Sequence, residues 1–165
     1  MRIPEYFRIP QFVLEGRSIS PVIENGYAVL AVSRAGEQHL CITGTVQPMW
    51  VAANPHVRAD TGKVALQYGP YVYCLEQTDN GPELPNLFVS PETDIRIDVP
   101  VRELPGELHT LSFDGKRISS GVEDELYGSP AFKAADVHLT AVPYGLWCNR
   151  EPGEMLVWLH SLISL

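Results

Sequence analysis

The stretch Gly69 to Gly81, GPYVYCLEQTDNG, sets Cys74 and Glu76 two residues apart in an otherwise apolar run. Side chains alternate along a β-strand, so a thiol and a carboxylate at this spacing share one face. That geometry could activate a cysteine nucleophile, because a thiolate needs a base or charge beside it. The same two residues also suit an ordinary strand. Cys74 is then a small buried hydrophobe, and Glu76 marks where the strand emerges before the turn Thr78-Asp79-Asn80-Gly81.

Other reactive side chains give no tighter constellation. His39, His56, His109, His138 and His160 stand singly, without HxH or HExxH spacing, so a metal site would need ligands brought together by folding. The sequence has no GxSxG elbow and no phosphate-cradling glycine loop. Its acidic residues fall mostly in turns, and this is the pattern of a solvated face, unlike the flanking carboxylate pair of a glycosidase. Cys41, Cys74 and Cys148 are odd in number and lack CxxC spacing, which excludes a disulfide framework or zinc ribbon and points to free thiols in a reducing, cytoplasmic compartment. Trp50, Trp147 and Trp158 could offer flat faces to a sugar ring, although a strand Trp in a small β domain ordinarily belongs to the core. Trp147 is the exception. It lies in the loop-like run PYGLWCNR with Tyr144 and Arg150, and these three residues are the candidate sugar contacts.

The elements that would position these residues are short strands. The 165 residues carry 14 Pro and 13 Gly, leaving little room for long helices. Strands are predicted at Pro10–Leu14, Tyr27–Val32, His39–Thr43, Thr45–Val51, Lys63–Tyr68, Tyr71–Glu76, Leu87–Val89, Ile95–Val99, His109–Phe113, Val137–Val142 and Met155–Leu159. Turns are predicted at Glu15-Gly16-Arg17, before Tyr27 at Asn25-Gly26, and at Asp114-Gly115, with a solvated acidic loop from Gly121 to Pro130. Residues 82–134 hold ten acidic against five basic residues, a net of −5 within the chain's −8. This acidic balance argues against a nucleic-acid partner, and no run approaches the roughly 18 apolar residues of a membrane span.

Several blocks together resemble the C-terminal region of the β-L-arabinofuranosidase family, glycoside hydrolase family 127 and its relatives. They are Arg2-Ile3-Pro4-Glu5-Tyr6, Ala53 through Asp60, Gly62 through Glu76, and Val142-Pro143-Tyr144 through Asn149-Arg150 to Leu159. The resemblance implies an all-β region of two small antiparallel, jelly-roll-like β-sandwich modules. The first would take residues 1–60 plus 154–165, incomplete at its N-terminus and closed by the C-terminal strand. The second would take 61–153, with a variable acidic, Pro-rich part at 82–134.

In such proteins a zinc-bound cysteine nucleophile belongs to an (α/α)6 barrel, whose Cys-Cys motif this sequence lacks. The resemblance therefore carries over no catalytic residue, cofactor site or metal ligand, and places zinc only in the barrel. The chain also opens at the RIPE segment, with Tyr6 where the family has Trp, as a truncated piece would. The implied role is a non-catalytic accessory region that braces the barrel and supports a homodimer. The alternatives are a carbohydrate-binding module for arabinose-containing glycans and a thiol enzyme built on Cys74 or Cys148.

Overall fold

The computed structural model describes residues 1–31, 35–100, 108–120, 126–129 and 131–162, with the backbone alone at 99, 100 and 120. The chain divides into two compact units, Met1–Gln47 with Tyr68–Pro70, and Pro48–Gln67 with Tyr71–Leu165.

In the first unit, β1 (Phe7–Leu14) lies between β2 (Arg17–Ile19) and β5 (Leu40–Val46) in an antiparallel sheet. The β1–β2 turn is Glu15-Gly16, both at positive φ, as the sequence predicts for this reversal. Phe12 pairs with Ile19 on one side and Ile42 on the other and is buried. A separate hairpin joins β3 (Val22–Glu24) to β4 (Tyr27–Val29) through Asn25-Gly26, at φ 49° and 77°. An Asn-Gly pair reaches this left-handed conformation at low cost and matches the twist of the strands it joins. The chain's first residue ties onto this hairpin, its amine donating to the Ala28 carbonyl at 2.8 Å. Yet Val22, Ile23, Tyr27 and Val29 are all more than half exposed.

The second unit is one sheet that closes on itself. Its strands are β6 (Pro48–Ala52), β7 (Lys63–Tyr68), β8 (Tyr71–Glu76), β9 (Leu87–Val89), β10 (Arg96–Pro100), β11 (His109–Ser120), β12 (Phe132–Pro143), β13 (Met155–Leu156) and β14 (Leu159–Ser161). The ring runs β7-β8-β12-β11-β9-β14 and returns to β7, while β6, β10 and β13 attach to β7, β11 and β8. The all-β expectation holds, and the two layers expected of the second sandwich are one continuous sheet. Closure removes the unpaired edges of the ring strands. β10–β11, β11–β12, β11–β9, β12–β8, β13–β8 and β14–β7 pair antiparallel, whereas β14 runs parallel to β9.

Side chains from every ring strand fill the interior. Leu66, Leu75, Leu87, Val89, Leu111, Phe113, Leu139 and Leu159 are nearly inaccessible, each worth about 1.5–3 kcal/mol on burial. Trp50 of β6 meets Phe113 edge to face at 4.9 Å. Tyr73 is equally buried and its hydroxyl donates to the His109 carbonyl at 2.8 Å, so its polar end is satisfied.

β7, β8 and β9 have the predicted bounds, but other elements differ. No turn forms at Asp114-Gly115. β11 runs straight through it, because Gly115 lets the strand approach its neighbour closely; an added Cβ would lie 2.8 Å from the Phe88 carbonyl oxygen. The strand predicted at Met155–Leu159 breaks at Val157-Trp158, and this bend carries the chain from the edge of β8 to that of β7. The division falls after residue 47, earlier than the expected boundary at 60. Residues 155–161, expected to close the first module, pair instead with β8, β7 and β9. Val32, residues 121–125 and Pro130 lie outside the described residues. No helix among the described residues is long and apolar enough to cross a membrane.

Candidate functional site

The β8 strand ends in a single helical turn, α1 (Gln77–Asn80), and at this junction the chemistry-bearing residues meet. Glu76 is buried along with Tyr73, Cys74 and Leu75, so both faces of the strand end are covered. This corrects the expectation that Glu76 emerges into solvent. A buried carboxylate needs partners, and Glu76 has two, contributed by the segment after β12. Oε1 accepts the Cys148 amide at 2.8 Å, and Oε2 accepts Arg150 Nη2 at 2.5 Å. Arg150 also forks onto Asp79, Nη1 to Oδ1 at 2.7 Å and Nη2 to Oδ2 at 2.5 Å. Bidentate pairing of this kind fixes both distance and orientation. The hydrogen bonds to Asp79 are the main reason the guanidinium is held more firmly protonated than usual. Cys148, whose amide meets Glu76, has a left-handed backbone, φ 63°, a strained choice for a residue with a Cβ.

Further polar groups lock the same corner. The Asn80 side chain donates to the Glu76 and Thr140 carbonyls and accepts the Thr140 amide, each at 2.9 Å, so it pairs with β12 as a strand would. Arg117 donates to the Asn80, Pro82 and Glu83 carbonyls. The Glu154 carboxylate accepts the Leu84 amide at 2.8 Å and the Glu83 amide at 3.3 Å.

Cys74 and Glu76 are thus close, but not as a reactive pair. Burial, and secondly the Glu76 charge, push the Cys74 thiol up to about 12, so it remains a neutral thiol at any ordinary pH. Glu76 already spends both oxygens on Cys148 and Arg150. Chemically this node is a latch that pins residues 144–154 onto the end of β8.

The candidate sugar contacts fall around the latch. Arg150 is its central cation. Trp147 is 39% exposed and follows the 3-10 turn Tyr144–Leu146, its amide bonded to the Tyr144 carbonyl. Tyr144 is 45% exposed and borders an open groove of about 580 Å³, together with Trp158, Val72, Met155, Asp60 and Lys63. Trp158, read from sequence as a core residue, is half-buried at the groove wall.

The histidines stay dispersed. His138 bonds Asp114 at 2.9 Å on the exposed β11–β12 ribbon, His109 Nδ1 lies 3.3 Å from the Asp98 carbonyl, and His160 stacks on Phe88 at 4.9 Å. Among the described residues no three His, Cys, Asp or Glu converge as metal ligands.

Sequence reasoning identified the strand that carries Glu76 but missed its partners. Glu76 and Arg150 are 74 residues apart, and no local pattern links them. The one usable signal was a carboxylate at the end of an apolar strand, which cannot stay buried unpaired.

Comparison with known proteins fixes the context. Residues 48–160 match the glycoside hydrolase family 127 C-terminal domain, a span that starts with the second unit. The non-reducing end beta-L-arabinofuranosidase of Bifidobacterium longum subsp. longum is 29% identical over 170 residues, which are 96% of this chain and 25% of that protein. The crystal structure of a GH127 beta-L-arabinofuranosidase from Geobacillus stearothermophilus T6 superposes with a TM-score of 0.83 at 34% identity, over 97% of this chain and 26% of the other. A further GH127 beta-arabinofuranosidase structure gives 0.74 at 27% identity, over 92% of this chain and 23% of the other. The chain thus spans about a quarter of the length of the relatives it matches. With more than half of its residues under the family's own profile and one fold shared nearly end to end, the chain belongs to glycoside hydrolase family 127, whose C-terminal domain it contains.

Proposed function

We propose that the chain is a non-catalytic accessory β-region of a β-L-arabinofuranosidase-like glycoside hydrolase, bracing an (α/α)6 catalytic barrel and supporting a homodimer. The observation that carries this reading is the match to the family's C-terminal domain, combined with coverage of only a quarter of each relative. The chemistry at β8 agrees with it. The Cys74 thiol is held neutral, and the adjacent carboxylate is committed to a latch. The zinc implied for the family finds no fitting donor set among the described residues. The half-exposed apolar side chains of the first unit, Val22, Ile23 and Val29, suit a surface that packs against another part of a larger enzyme.

The test is an assay of the chain on an aryl β-L-arabinofuranoside with added zinc. No turnover is expected above that of a variant with Cys41, Cys74 and Cys148 all replaced by Ser. Zinc-dependent turnover that disappears in that variant would overturn the reading.

A further inference from the structure

The groove beside the latch has a composition of its own. Tyr144 and Trp158 supply aromatic surface, Val72 and Met155 extend it, and Asp60 and Lys63 place one negative and one positive group at the same opening. The two charges sum to zero, so the groove carries no net charge that would favour an ion over a neutral ligand. It offers an apolar face beside polar groups that both donate and accept. Lys63 Nζ uses one proton on the Ala59 carbonyl at 3.0 Å and keeps two. At about 580 Å³ the space lies in the usual small-molecule range of roughly 300–1,000 Å³.

The groove wall is also preset. Pro143 is buried and paired with Tyr73, and Cys148 and Arg150 are fastened to Glu76, so the short turn that carries Tyr144 is held at both ends. A wall fixed before the ligand arrives loses little freedom when it binds.

We propose that this groove is a saccharide-binding site, where Tyr144 and Trp158 pack against the C–H face of a sugar ring and Asp60 and Lys63 hydrogen-bond its hydroxyls. A sugar matches this lining because its ring carries both an apolar face and a rim of neutral hydroxyls. The choice of arabinose-containing sugars as ligands rests on the accessory-region reading above.

The test titrates the chain with L-arabinose, methyl β-L-arabinofuranoside and an arabinan oligosaccharide, following amide chemical shifts and tryptophan fluorescence. Saturable binding with a Kd on the order of 1 mM is expected, with shifts centred on residues 60–63, 72, 144 and 155–158. Binding should weaken at least ten-fold in Tyr144→Ala and in Asp60→Asn, each first checked for an unchanged thermal midpoint. It should persist in Tyr127→Ser, a position 93% exposed and outside the groove. Absence of saturation up to tens of millimolar overturns the proposal, as does binding that is lost in Trp147→Ala but kept in Tyr144→Ala. The accessory-region reading fails by a separate measurement, turnover of an aryl arabinofuranoside by the same sample.

Discussion

Replacing Arg150 by Met tests the latch most directly. The Glu76 side chain is only 5% exposed, and the substitution strips Oε2 of its cation while leaving Oε1 on the Cys148 amide. Breaking a fully buried ion pair costs roughly 3–5 kcal/mol, because a charge is stranded away from water. A hydrogen bond to a charged group is worth about 1.5–3 kcal/mol. The Arg150 side chain is 45% exposed, so water can enter beside Glu76 once the guanidinium is gone. That places the expected loss near the lower range, about 2 kcal/mol.

For a chain of this length such a loss lowers the unfolding midpoint by about 4–8 °C. Fluorescence is a selective probe, since Trp50, Trp147 and Trp158 all lie in the second unit. The control is a double-mutant cycle with Glu76→Gln, which removes the charge that Arg150 neutralises. In that background Arg150→Met should cost at least about 1 kcal/mol less. If Arg150→Met changes stability by under about 0.5 kcal/mol, or costs as much with Glu76→Gln as without it, the latch does not stabilise the unit as argued.

Two further outcomes concern titration. Cys41 and Cys148, both exposed, should alkylate with iodoacetamide at pH 8 in the native chain, while Cys74 stays unmodified until the protein is unfolded. Because burial raises the Cys74 thiol from 9.0 to about 12, its stabilising effect is full below pH 9 and lost as pH climbs toward 12; alkylation of Cys74 at pH 8 at the rate of the exposed thiols would contradict this. On the β11–β12 ribbon, the hydrogen bond from His138, then that from Arg96, lowers the Asp114 carboxyl below 3.8. Its contribution is therefore present above that value and disappears as the pH falls through the folded midpoint. An NMR titration should place Asp114 below 3.8 and move it upward in His138→Ala, and an unmoved midpoint would rule out the pairing.

What the sequence reveals here is local. The bounds of β7, β8 and β9 follow from β-branched and aromatic runs between Gly, Pro and Asn, and the Glu15-Gly16 and Asn25-Gly26 turns follow from residues that tolerate positive φ. Tertiary pairing is not visible in that way. Asp114-Gly115 has the composition of a turn, yet the strand continues because the glycine admits the Phe88 carbonyl. Glu76 resembles a residue at a strand exit until Arg150 arrives from 74 positions away. The C-terminal strand shows its β character in sequence, but its neighbours β7 and β9 are set by tertiary pairing that no local pattern reveals. Of the candidate sugar contacts, the sequence placed Tyr144, Trp147 and Arg150 in one segment; it could not distribute them between a groove wall, an exposed turn and an ion-pair node.

The position of β14 within the ring also has a temporal side. Residues 159–161 sit between β7 and β9, joined to a strand almost 100 positions earlier in the chain through Leu159 and Val64. During synthesis, β7, β8, β9, β11 and β12 can emerge and begin to pair, but the circle stays open until Ser161 has left the ribosome. Contacts of such long sequence separation form slowly. Until then β7 and β9 each keep an unfilled edge, a place where another chain could pair with the nascent unit.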